Sequence, residues 1–125
     1  MYIRLENQSD VPIYVQIYEQ IKQQILAQVL HEGDALPSIR QLARDLRISV
    51  ITTSRAYDEL EKDHYILTVP KKGCYVAAVN TELFKEEQLK QIEALIEKAT
   101  FLAKRINLSR THLKELIDLY LQEEN

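Results

Sequence analysis

Six cations set the chemistry that this chain can do. Arg40, Arg44, Arg47 and Arg55 fall between Pro37 and Tyr57 with Asp45 as the one acid among them, a local excess of three positive charges. Lys71 and Lys72 follow as an adjacent pair. Cations gathered in this way neutralise phosphate oxygens, which is the sequence-independent part of nucleic-acid binding. The whole chain has a net charge of −3, which runs against such a role. The acids, however, lie elsewhere: Asp58, Glu59, Glu61 and Asp63 come after the arginines, and the stretch beyond Ala78 holds nine acids against seven bases. Phosphate neutralisation scales with the cations that touch the duplex and not with total charge. A basic stripe on an acidic chain is therefore compatible with nucleic acid.

Other chemistries find less support. Acyl or phosphoryl transfer needs a nucleophile, a base and oxyanion donors converging in one pocket. His31, His64 and His112 are scattered over helix ends and turns, with no serine or aspartate at motif spacing, so no catalytic residues are expected. Cys74 is the single cysteine and cannot form an internal disulfide, and no His/Cys cluster has metal-ligand spacing. No metal or cofactor is expected. No apolar run approaches the roughly 18 residues that span a bilayer. Met1-Tyr2-Ile3-Arg4 lacks the layout of a secretory signal. A composition of 46% hydrophobic and 28% charged residues fits a folded chain, expected here to be cytoplasmic and without a membrane partner.

The elements that must position the cations can be read from periodicity. Tyr2 to Leu5 reads as a short strand. Asn7 to Asp10 offers capping side chains, and Pro12 suits a first helical turn. Ile13, Ile17, Ile21, Ile25 and Val29 then recur every four residues as one apolar helix face, ending near Gly33. Ser38 is the expected N-cap of a second helix with Ile39, Leu42, Ala43 and Leu46 buried. Arg47-Ile48-Ser49 interrupts that period, and Ser49 caps a third helix running to about Asp63. Its buried positions are Thr53, Ala56, Tyr57 and Leu60, and its outward first turns show Val50, Ile51, Thr52, Ser54 and Arg55. Tyr65 to Val69 and Cys74 to Val79 read as strands around Pro70-Lys71-Lys72-Gly73.

Helix, turn, helix and hairpin in this order predict a winged helix-turn-helix, in which the second helix of the motif enters the major groove. Beyond Asn80-Thr81 the chain is helical in pattern. Leu89, Ile92, Ile96, Ala99, Ala103 and Ile106 alternate in steps of three and four, as in a seam between packed helices. Leu95 and Leu102 broaden this face. Asn107-Leu108-Ser109 breaks the helix, and Ser109 caps a last one carrying Leu113, Leu116, Ile117 and Tyr120, with Leu108 and Leu113 as a staple. So broad a face exceeds what a small winged domain can cover, and the tail is expected to pair with a second copy. The fold class is mostly α with a small β-hairpin. It divides into a winged helix-turn-helix domain over residues 1–80 and a helical dimerisation tail over 81–125.

Several blocks carry a family resemblance. Gly33 to Ala43 resembles the segment with which GntR-family transcription regulators open their helix-turn-helix. Ser54 to Glu61 is similar to the end of their recognition helix, Lys72 to Val76 to their wing, and Pro12 to Ile17 to the start of their first helix. The short two-helix tail resembles the YtrA subfamily, which lacks a large effector domain. The resemblance implies a homodimeric transcriptional regulator, most simply a repressor on an inverted-repeat operator in double-stranded DNA. It implies that Arg40, beside Ser38, contacts phosphate or guanine. It also implies that Ser49, Val50, Thr52, Ser54 and Arg55 face DNA, and that Lys71, Lys72 and Gly73 approach the minor groove.

The chain departs from the family pattern at three points. Arg47 stands where glycine is usual, Asp63-His64 replaces an acid followed by glycine, and Val50 fills a position often basic or polar. Valine cannot read guanine; a thymine methyl is the substitute. Ile51 is open to partial burial in the core, and Arg55 to pairing with Asp58 or Glu59 along the helix. A small-molecule effector would have to bind between subunits or between tail and winged domain. The competing reading is a winged domain that binds protein through the same helix.

Overall fold

The computed structural model describes residues 1–123. They divide into two units, Met1–Glu82 and the chain from Leu83 onward. The first unit contains α1 (Ile13–Leu26), α2 (Ile39–Leu46), α3 (Val50–Lys62) and an antiparallel hairpin of β1 (Ile66–Val69) and β2 (Gly73–Val76). The expected mostly helical fold with a small hairpin is the one observed.

At the centre lies α3, which packs on α1, α2 and β1. Its Thr53, Ala56, Tyr57 and Leu60 are the four buried residues that the period selects. They meet Ile17, Ile21 and Ile25 of α1, Leu42 of α2, and Ile66 and Val76 of the hairpin in one core. Buried polar atoms in this core are satisfied. Thr53 Oγ1 donates to the Ser49 carbonyl at 3.1 Å, and Tyr57 Oη donates to the Pro37 carbonyl at 2.7 Å. Burial pushes the Tyr57 phenol well above its ordinary range, so it stays protonated and remains a donor.

Two expectations at the N-terminal end are corrected. Tyr2 to Leu5 is extended but has no strand partner. Instead, three glutamines of α1 bind it. Gln24 accepts from the Tyr2 N–H and donates to the Tyr2 carbonyl; Gln20 does the same for Arg4, and Gln16 for Glu6, at 2.6–3.1 Å. Side chains four apart share a helix face and match alternate residues of an extended chain. The second correction concerns the limits of α1. Pro12 occupies its N-cap without a side-chain cap, so Asn7 to Asp10 do not serve in that role. The helix stops at Leu26, where Gln28 turns left-handed (φ 61°) and the Val29 N–H closes onto the Gln24 carbonyl at 2.9 Å. Val29 therefore lies beyond the helix and is exposed.

β2 ends at Val76, earlier than expected, but gains a neighbour on its other edge. Ala35 forms a bridge with Tyr75. Leu36 N–H donates to Cys74, Gly33 N–H to Val76, and Val76 N–H to Asp34, each at 2.9 Å. The residues leading into α2 are thus tied to the hairpin.

The second unit consists of α4 (Thr81–Arg105), which starts at the end of the first unit, and α5 (Arg110–Glu123). Asn107 breaks the helix in left-handed conformation (φ 56°), and Ser109 Oγ caps α5 by accepting the His112 N–H at 3.0 Å. Among the described residues of this unit only Ala103 is buried, at 8% exposure. Leu89, Ile92, Leu95, Ile96, Leu102, Ile106, Leu116, Ile117 and Tyr120 are exposed, while Leu108 and Leu113 are half-buried at the corner. No helix of the described residues is long and apolar enough to cross a membrane.

Candidate nucleic-acid interface

The helix-turn-helix is closed by two serine caps and one left-handed residue. Ser38 Oγ accepts the Gln41 N–H at 3.1 Å and starts α2, a contact type that contributes about 1 kcal/mol. Arg40 stands exposed in the first turn of that helix. At the other end Arg47 takes φ 57° and ψ 47°, with its N–H on the Ala43 and Arg44 carbonyls. An L-residue with a side chain pays about 1–2 kcal/mol for that conformation. The substitution of arginine for the usual glycine is therefore accommodated by strain in an otherwise ordinary turn. Ile48 N–H closes back on Ala43 at 3.0 Å, and Ser49 begins α3.

The first turn of α3 pairs its leading hydroxyls with each other. Ser49 Oγ accepts the Thr52 N–H at 3.0 Å and donates to Thr52 Oγ1 at 2.8 Å. Thr52 and Ser54 are half-buried. Val50 is 48% and Ile51 82% exposed, so Ile51 is not a core residue and stands further out than any other large apolar side chain described. The α3 peptide dipoles place partial positive charge at this same end.

Arg55 forms no ion pair with Asp58 or Glu59. Its guanidinium carbon lies 3.8 Å from the centroid of the Tyr14 ring on α1. This stacking leaves the planar edge of the group, with its N–H donors, free to meet an anion. The partner on α1 lies far off in sequence, and no local pattern points to it.

The wing is a tight turn. Pro70 and Lys71 are its central residues, Lys71 has φ 68°, and Lys72 N–H donates to the Val69 carbonyl at 3.0 Å. This is the pattern of a type II turn, with lysine where glycine is usual. Gly73, expected to mark the turn, also has positive φ but opens β2. Lys71, Lys72 and Gly73 are all exposed, and Tyr75 Oη donates to the Lys72 carbonyl at 3.3 Å. His64 is left-handed as well (φ 66°) just before β1, so the Asp63-His64 departure keeps the backbone shape of an acid followed by glycine. Nearby, Asp63 accepts the Tyr18 hydroxyl; burial, then this bond, pushes the Tyr18 phenol upward.

Residues 13–76 match the family model described as bacterial regulatory proteins, gntR family. Over 97 residues the chain is 37% identical to the HTH-type transcriptional repressor YtrA of Bacillus subtilis (strain 168), spanning 72% of this chain and 75% of that protein. A solved structure of YtrA from Sulfolobus acidocaldarius, a GntR-family transcription factor, superposes with a TM-score of 0.58 at 33% identity, over 74% of this chain and 97% of that one. The fold also recurs, at 22% identity and a TM-score of 0.52, in AraR(DBD) in complex with operator ORE1, over 62% of this chain and 94% of that one. With a matched family model over half its length and this architecture, the chain belongs to the gntR family of DNA-binding bacterial transcription regulators.

Proposed function

We propose that the protein is a homodimeric repressor that occupies an inverted-repeat operator from the cytoplasm and blocks a promoter. The observation that carries this reading is the pairing of an outward, cation-flanked first turn of α3 with a tail whose apolar face is left open to water. In this reading residues 1–80 bind DNA and residues 81–125 join two copies. Arg40, next to the Ser38 cap, meets phosphate or a guanine edge. Ser49, Val50, Thr52, Ser54 and Arg55 face the major groove, and Lys71, Lys72 and Gly73 approach the minor groove. Leu89, Ile92, Ile96, Ala99, Ile106, Leu116, Ile117 and Tyr120 meet the partner copy, with Ala103 and Leu113 supporting them from the corner. A two-fold axis through the tail sets two reading heads about one DNA turn apart or a small multiple of it.

The relative named a transcriptional repressor and the neighbour solved on its operator support this assignment. The apolar groove that Ile92, Leu95, Ile96, Ala99, Leu113 and Ile117 line measures about 210 Å3. That is below the several hundred Å3 usual for a small ligand, so this groove suits the side chains of a partner copy better than an effector. The test is selection of duplexes from a random pool by the full chain, with sedimentation of the bound species. Enrichment of a palindrome bound by two chains is expected. A bound species with one chain, or no enriched palindrome, overturns the reading.

A further inference from the structure

At the start of α3 several polar side chains already have partners within the protein. Ser49 and Thr52 bond to each other, Thr53 is buried on the Ser49 carbonyl, and the Arg55 guanidinium lies over Tyr14. What projects from this turn is aliphatic. Ile51 is exposed to 82% and Val50 beside it to 48%. A branched aliphatic side chain held in water forgoes the favourable burial available in a core. The cation-rich surroundings make an oily partner protein a poor match for this turn, because interface cores are depleted of charge. Within the major groove of DNA one base presents an apolar group: the C5-methyl of thymine.

We propose that Ile51, with Val50 beside it, reads thymine methyl groups, so that thymine is the base specified by the leading turn of α3. This rests on the DNA-binding reading above and moves the main thymine contact from Val50, where the sequence suggested one, to the more exposed Ile51. Thymine contacts account for an aliphatic pair at a helix start whose neighbouring hydroxyls, Ser49 and Thr52, bond to each other. They also assign Ile51 a specificity role that a core-packing interpretation of its sequence position hides.

The experiment uses the full-length protein and an operator selected from a random duplex pool. Each thymine is replaced in turn by deoxyuridine, which removes the methyl and keeps base pairing. The expected result is a loss of about fourfold in affinity per contacted methyl, at one or two positions in each half-site. Ile51→Ala should abolish the sensitivity at one such position, and Val50→Ala should abolish it at a neighbouring one. Both sites are solvent-exposed, and circular dichroism of each variant checks that the fold is kept. If the operator is bound tightly but no deoxyuridine substitution matters, or if Ile51→Ala leaves every sensitivity in place, the thymine assignment is overturned while DNA binding stands. If no duplex is enriched, the DNA-binding reading is overturned and the assignment with it.

Discussion

The two units of this chain place similar aliphatic residues in opposite situations. In the first, Ile17, Ile21, Leu60 and Ile66 are almost wholly removed from water around Tyr57. In the second, Ile92, Leu95, Ile96 and Ile106 are half or more exposed on helices of comparable regularity. Three helices and a hairpin can close around a centre, whereas two helices joined at a corner cannot by themselves bury a broad apolar face. The first unit is therefore stabilised by its own packing, and the second has an apolar face that another surface can cover. That asymmetry suits a reading head joined to an assembly element.

The contrast can be broken most severely from the tail. Ile96→Glu places a charge in the middle of the exposed face. It should give monomers in sedimentation and lower the affinity for a full palindrome by about 10²–10⁴-fold, the usual loss when two linked sites become one. A variant that sediments as the parent does would show that this face does not join two copies. Leu60→Ala acts on the other unit. It should destabilise the fold by about 2–5 kcal/mol in urea or thermal unfolding, whereas the loss caused by an alanine at the exposed Ile96 should vary with protein concentration, as for a residue between copies. Equal, concentration-independent losses at both sites would erase the distinction.

Within the reading head, Arg40→Ala should weaken operator binding by about 1–3 kcal/mol if the guanidinium grips a base edge. An unchanged mobility-shift titration removes it from the interface. Arg47→Gly has the smallest expected effect. Relief of the left-handed strain should raise stability by at most about 1 kcal/mol, because glycine also loosens the unfolded chain. Equal operator affinity for this variant would mark Arg47 as a turn residue; a clear loss would place its guanidinium on phosphate.

The helix-turn-helix and its core were legible because burial follows periodicity. The buried face of α3, the serine caps of α2, α3 and α5, and the break after α4 all follow from spacing and capping chemistry. Features made by contacts distant in sequence were not legible. Val29 continues the numerical period of α1, yet the left-handed Gln28 ends the helix before it. Ile51 looks like a candidate for burial until the tilt of α3 is known, and the Arg55–Tyr14 stacking links two helices. With only two glycines in the chain, Gly33 and Gly73, both at positive φ, the other left-handed positions among the described residues fall on Gln28, Arg47, His64, Lys71 and Asn107. Absence from the family pattern flags two of these, Arg47 and His64; composition alone flags none.

The glutamine rungs along α1 have a consequence for how the amino-terminal residues behave. Tyr2, Arg4 and Glu6 have their amide hydrogens bound by Gln24, Gln20 and Gln16, while the intervening Ile3 and Leu5 rest against the core. A stretch with no assigned secondary structure thus acquires the every-other-residue rhythm of a sheet edge. Its partner is a column of carboxamides in place of a second backbone. A helix can in this way zip an extended peptide to its flank with neither a sheet nor a disulfide, and any change of one glutamine to glutamate would remove a donor from one rung and leave its acceptor.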